Sequence, residues 1–147
     1  MTANFQKPTG FERFFGTLLG KLIAFGMAPG YMRVLETRGR KTGRVYSTPV
    51  NLIEHDGKTW LVAPRGATQW TKNVEASGDL ALRRGGSAVQ HKIRITSPAE
   101  RAPVLKKYLE AYPSQVQRFF QVKAGEPLEA FAKVTQDHPV YELLPGA

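Results

Sequence analysis

Closely spaced chain reversals constrain this sequence more than any other feature. Gly39 and Gly43 bracket one reversal, His55-Asp56-Gly57-Lys58 forms a second and Gly85-Gly86 a third. Glycine reaches positive φ without steric cost, and Asp-Gly is a strong two-residue hairpin signal. Apolar runs lie on either side of each turn, which predicts strands over 32–37, 46–54, 59–63, 80–84, 88–96 and 139–144. About six strands, mostly hairpin-connected and therefore antiparallel, avoid exposed edges by curling into a barrel. In strand 88–96, Val89, His91, Ile93 and Ile95 alternate with Gln90, Lys92, Arg94 and Thr96. That period predicts a strand with its apolar side buried and a basic outer side.

Helical signals fall between and after these strands. Thr68 is placed to cap a helix over 69–77, and Gly78 ends it. Ser97-Pro98-Ala99-Glu100 starts another helix that runs to about Tyr112, with Val104, Leu105, Tyr108 and Leu109 as its apolar set. Pro113-Ser114 interrupts it before a stretch carrying Val116, Phe119 and Phe120, and a last short helix is expected over 128–134. Near the start, Phe11, Phe14, Phe15, Leu18, Leu19, Leu22 and Ile23 recur at the spacing of one helical face. That amphipathic helix either caps the core of its own domain or dips its aromatic face into a lipid interface. The expected organisation is an arm and helix over 1–30 followed by one α+β barrel domain over 31–147, long enough to bury its own core.

Composition narrows the chemistry. The 147 residues include no cysteine, so disulfides and thiolate metal sites are excluded. His55, His91 and His138 are scattered without metal-ligand spacing, and no metal site is expected. The hydrolase Gly-x-Ser-x-Gly elbow, the Walker loop and the Gly-x-Gly-x-x-Gly fingerprint are all missing, and no carboxylate dyad stands out. An enzyme made of these parts borrows its chemistry from a cofactor. The net charge of +9 points to anionic partners: nucleic acid, a phosphorylated cofactor or an acidic membrane face. Nucleic acid is disfavoured, because the aromatics lie in apolar patterns and are not interleaved with Lys and Arg on a strand face. No stretch is apolar enough to span a bilayer, and the signal-peptide order is absent, so a cytoplasmic place is expected. Peripheral contact with the inner face of the membrane through the first helix remains an option.

The first reversal is also the most basic part of the chain. Arg38, Arg40, Lys41 and Arg44 crowd the bend around Gly39 and Gly43 with no carboxylate among them. Such a turn is either a solvated basic hairpin tip or a grip for phosphate and carboxylate groups.

The run Gly39-Arg40-Lys41-Thr42-Gly43 followed by Thr48-Pro49 resembles the deazaflavin-dependent nitroreductase family of actinobacteria. So does Ala63-Pro64-Arg65-Gly66 just before a helix that begins Trp70-x-x-Asn73. The resemblance covers roughly 32–144 and implies a split β-barrel, related to the flavin-binding split barrels, that uses coenzyme F-420. It implies that Arg40, Lys41, Thr42 and Arg44 meet the cofactor's phosphate and acidic tail. Thr48, Pro49 and Val50 would line one side of the ring. Ala63, Pro64, Arg65 and Gly66 would offer backbone groups to its pyrimidine end, with Trp70 and Asn73 beside them. The implied reaction is hydride transfer from the reduced deazaflavin to a quinone, enone or nitroaromatic. Tyr112 would face the substrate as a proton donor or contact. The chain departs from the pattern at Gln115 and Arg118, where family members carry tyrosines, and in a shorter loop before Trp70. The alternatives are a non-catalytic lipid- or membrane-surface member of the same fold, or a split barrel holding FMN or haem. A homodimer is expected by family analogy.

Overall fold

In the computed structural model, residues 31–146 are described. The amphipathic helix expected over 11–23, and the lipid contact attached to it, lie outside these residues. The strands are β1 (Met32–Arg38), β2 (Val45–His55), β3 (Lys58–Val62), β4 (Asp79–Arg84), β5 (Ser87–Ile95) and β6 (Val140–Pro145). Helix α1 (Gln69–Ser77) separates β3 from β4. Between β5 and β6 come α2 (Pro98–Ala111), α3 (Pro113–Val116), a 3₁₀ turn (Gln117–Phe119) and α4 (Leu128–Ala132). Hydrogen bonding joins the strands in the order β1-β2-β3-β6-β5-β4 and closes the barrel. Every described strand pairing is antiparallel. The expected α+β barrel is therefore present, with strand ends within a residue or two of the expected ones.

Two compact units make up the described chain. The first takes in the described residues up to Leu52, Gln69–Ile93 and the residues from Leu144. Its centre is β1, where the successive residues Val34 and Leu35 point to opposite faces and are both 0% exposed. A strand covered on both sides needs a layer over the sheet, and α1 supplies it by packing on β1 and β4 with Val74 buried. The β1–β2 bend closes through Gly39 N–H to Arg44 O at 2.7 Å and Gly43 N–H to Gly39 O at 2.9 Å. Gly39 has no room for a side chain: a Cβ there would sit 2.8 Å from Tyr46 Cε2 and 2.9 Å from Thr42 Oγ1.

The second unit comprises Ile53–Thr68 and Arg94–Leu143. The Asp56-Gly57 turn has φ of 56° and 73° at its two central residues, as the type I′ geometry of a tight hairpin requires. Trp60, Leu61 and Val62 of β3 are buried in succession, and α2 packs on this strand. Helix α2 opens with a capping box: Ser97 Oγ accepts from Glu100 N, and Glu100 Oε1 accepts from Ser97 N. Leu105, Leu109, Phe131, Val140 and Tyr141 complete this core.

Strand β5 departs from expectation. Its apolar residues Val89 and Ile95 are 52% and 54% exposed. At the end of the strand the other side is covered. Arg94 Nε donates to Glu142 Oε1 at 2.7 Å, and its terminal nitrogens bind the Glu100 carboxylate. Buried Thr96 donates its Oγ1 to Val140 O at 2.7 Å. Carboxylates from α2 and β6 thus draw Arg94 inward at the end of the basic side, while Gln90 and Lys92 stay exposed and His91 and Ile93 are half-buried.

Candidate cofactor-binding site

The four cations of the bend divide into two pairs. Arg38 Nη1 donates to Gly43 O at 2.7 Å, tying the end of β1 across the turn. Arg40 reaches α1: its backbone N–H and Nη1 both donate to Asn73 Oδ1, at 3.1 and 2.7 Å, and Nη2 donates to Gln69 Oε1 at 3.0 Å. Thr42 Oγ1 accepts from Arg44 N–H at 3.2 Å and lies 3.5 Å from Tyr46 Oη. These bonds give the bend a fixed shape. The side chains of Lys41 and Arg44 are exposed and hold no hydrogen bond or ion pair among the described residues. Two arginines are thus committed to building the turn, while a lysine and an arginine are left with uncompensated charge on a preformed loop. That arrangement suits a multiply charged anion.

Below the bend, the β1–β2 register pairs Thr37 with Tyr46, Leu35 with Thr48, Val34 with Pro49 and Arg33 with Val50. Residues directly opposite share a face, so Thr48 and Val50 lie on the side that carries Leu35 and Thr37. Pro49 lies on the other side. The pair Thr48 and Val50, and not all three residues, offers side chains to a common surface. Thr37, on that surface, is buried with a hydroxyl that finds no partner among the described residues. A polar edge of a bound ring is the kind of group that would satisfy it. On α1, Asn73 is 5% exposed and committed to Arg40, and Trp70 is half-buried.

In the second unit, the turn at Ala63–Gly66 is fastened to the segment before β6. Ala63 N–H donates to Pro139 O at 2.9 Å, and Gly66 N–H closes the turn on Ala63 O at 3.1 Å. Gly66 has φ of 88°, and a Cβ there would lie 3.1 Å from Asp137 O. His138 Nδ1 is 2.9 Å from Pro64 O. A carbonyl only accepts, so Nδ1 carries the proton. Burial holds the His138 pKa below its ordinary 6.5, opposed in part by the bond to Pro64 and the charge of Asp137. The ring stacks on Phe120 at 4.0 Å and 19°. Phe120 in turn lies 6.5 Å from Tyr108, and Tyr108 meets Tyr112 edge-on at 5.3 Å and 71°. Burial, with Tyr112 adding to it, pushes the Tyr108 phenol pKa up, so it stays protonated. Arg65 and Arg118 both stand over the Phe119 ring, at 4.9 and 4.7 Å.

Sequence reading assigned no role to His138. The only local signal was the His-Pro step before a strand; its partner Pro64 lies 74 residues away. Asn73 and Arg40 were both named from the sequence, but their bond to each other was not. Among the described residues no cluster of three or more His, Cys, Asp or Glu could hold a metal, and no helix is long and apolar enough to cross a membrane.

The closed antiparallel barrel, with its fixed cationic bend, defines a split-barrel protein suited to an anionic cofactor. Residues 10–130 match the F420H(2)-dependent quinone reductase family, and the chain belongs to that family. It is an oxidoreductase, with coenzyme F-420 as cofactor and hydride transfer to a quinone as reaction. Solved structures share the fold. An F420-H2 dependent reductase (FDR-A) is 22% identical, with a TM-score of 0.53 over 78% of this chain and 94% of that one. A chain described as a domain-swapped dimer is 20% identical, with a TM-score of 0.54 over 93% of this chain and 99% of that one. The heme storage protein HutZ from Vibrio cholerae is 9% identical, with a TM-score of 0.56 over 97% of this chain and 92% of that one. No curated protein matches the chain.

Proposed function

We propose that Lys41 and Arg44 bind the phosphate and carboxylate groups of coenzyme F-420, on a bend that Arg38 and Arg40 hold in shape. The observation that carries this reading is the division of the four cations: two side chains are bonded into the fold and two hold no partner among the described residues. Thr48 and Val50 form a small half-buried surface for the ring, and the unpaired Thr37 hydroxyl supplies a polar contact beside it. The turn Ala63-Pro64-Arg65-Gly66 offers the pyrimidine end those backbone groups its own bonds leave over: Arg65 N–H, Arg65 C=O and Gly66 C=O. Trp70 flanks the same cofactor.

When bound in reduced form, the deazaflavin supplies a hydride. A quinone that accepts a hydride becomes a hydroquinone anion and still needs a proton. Tyr112 is the proposed proton donor or substrate contact, and its phenol is positioned by the edge-on packing against Tyr108. Enones and nitroaromatics are proposed as further acceptors, because each presents an electrophilic centre to the same donor. A homodimer using β5 is also proposed, supported by the exposure of Val89 and Ile95; light scattering that shows a monomer at all concentrations would remove it.

Titration of F-420 fluorescence with Lys41→Ala and Arg44→Ala tests the anion grip. Each variant is expected to bind about tenfold more weakly, or ~1.4 kcal/mol, and the affinity of the wild type should fall as salt rises. Unchanged affinity in both variants would contradict it.

A further inference from the structure

We infer that His138 is a positioning residue that fixes the direction of the Arg65 N–H, the donor through which the Ala63–Gly66 turn holds an acceptor atom on the cofactor's pyrimidine edge. The inference rests on the cofactor reading above and adds to it a residue that touches no substrate. Pro64 C=O and Arg65 N–H belong to one peptide unit, which is planar and trans, so the two groups point in opposite directions. Whatever holds the carbonyl therefore aims the N–H. The His138 Nδ1–H holds it, at 2.9 Å.

The rest of the turn is fastened, but none of those ties is a hydrogen bond to this peptide. Ala63 N–H is bound to Pro139 O, and Gly66 N–H to Ala63 O. Pro64 has no N–H, and its ring fixes φ but leaves ψ to rotate the following peptide. Arg65 N–H makes no hydrogen bond among the described residues. Without His138 the Pro64–Arg65 peptide has no protein bond on either side. With it, one orientation is selected before any ligand arrives, which lowers the ordering cost of binding. The histidine is itself held: it is 4% exposed, its ring lies flat on Phe120, and it is flanked by Asp137 and Pro139, which touch the same turn.

Two variants and one measurement on the unaltered protein test this. His138→Phe keeps an aromatic ring for the Phe120 stack but removes the donor. His138→Asn keeps a donor close to the Nδ1 position. The phenylalanine variant should bind F-420 about tenfold more weakly, with the KM for the quinone unchanged. In cofactor-free protein its Arg65 amide resonance should shift or broaden. The asparagine variant should recover both readouts. Wild-type F-420 affinity and an unmoved Arg65 amide in His138→Phe would overturn the inference. If that variant does not fold, nitrogen-15 spectra of wild-type His138 decide: the neutral Nδ1–H tautomer is expected, and the Nε2–H tautomer would overturn it. The amide and tautomer readouts need no cofactor. A wild-type protein that fails to bind F-420 therefore contradicts the cofactor reading and leaves the peptide orientation separately testable.

Discussion

Asn73 Oδ1 accepts two hydrogen bonds from Arg40, one from the backbone N–H at 3.1 Å and one from Nη1 at 2.7 Å. A single buried amide on α1 therefore fixes both the backbone and the side chain at the tip of the basic bend. Replacing it with alanine leaves Arg40 N–H without its acceptor and lets the tip move. We expect Asn73→Ala to lose about 1–2 kcal/mol of stability, read as a fall in thermal midpoint. F-420 affinity should fall with it, because Lys41 and Arg44 ride on the same loop. A variant as stable as the wild type would show that the bond carries no load.

Glycines separate backbone strain from open space. Gly66→Ala should destabilise by about 1–2 kcal/mol, since the position has φ of 88° and a Cβ would face Asp137 O at 3.1 Å. Gly86→Ala meets nothing within 4 Å and carries no positive φ, so its thermal midpoint should match the wild type. Equal midpoints for the two variants would contradict the turn geometry.

Acid stability depends on two groups whose native pKa values are lowered. The Arg94 guanidinium, aided by Ser97, holds the Glu100 carboxyl at about 2 against an ordinary 4.5. The unfolded chain therefore binds more protons than the native one in that interval. The stability this pair contributes is present above pH 4.5 and is lost as pH falls toward about 2. His138 acts at higher pH. Burial lowers its pKa from 6.5, so stability is full above 6.5 and declines as pH falls through the lowered value. Melting curves across pH should show both losses. Arg94→Gln should flatten the more acidic one, and His138→Asn the one that begins near pH 6.5.

Much of the fold was legible because turn chemistry is local. Asp56-Gly57 announces its hairpin from two adjacent residues, and Ser97 with Glu100 announces a helix start from four. Burial of β5 was not legible. Alternation identifies two faces, but the covering of Arg94 at the end of the basic one depends on Glu142, 48 residues away in sequence, and on Glu100. The site divides in the same way. The cationic bend stands out in sequence, whereas the assignment of Arg40 to the fold depends on Asn73, 33 residues on. His138 shows no function until Pro64 is brought beside it.

The most direct test of the account is a parallel titration of oxidised F-420 and of FMN, followed by fluorescence, with the wild type and the Lys41→Ala, Arg44→Ala double variant. The account predicts that the wild type binds F-420 at micromolar protein and more tightly than FMN, and that the double variant loses most of this preference. No quench of F-420 fluorescence at micromolar wild-type protein, or a double variant that binds as the wild type does, would contradict it.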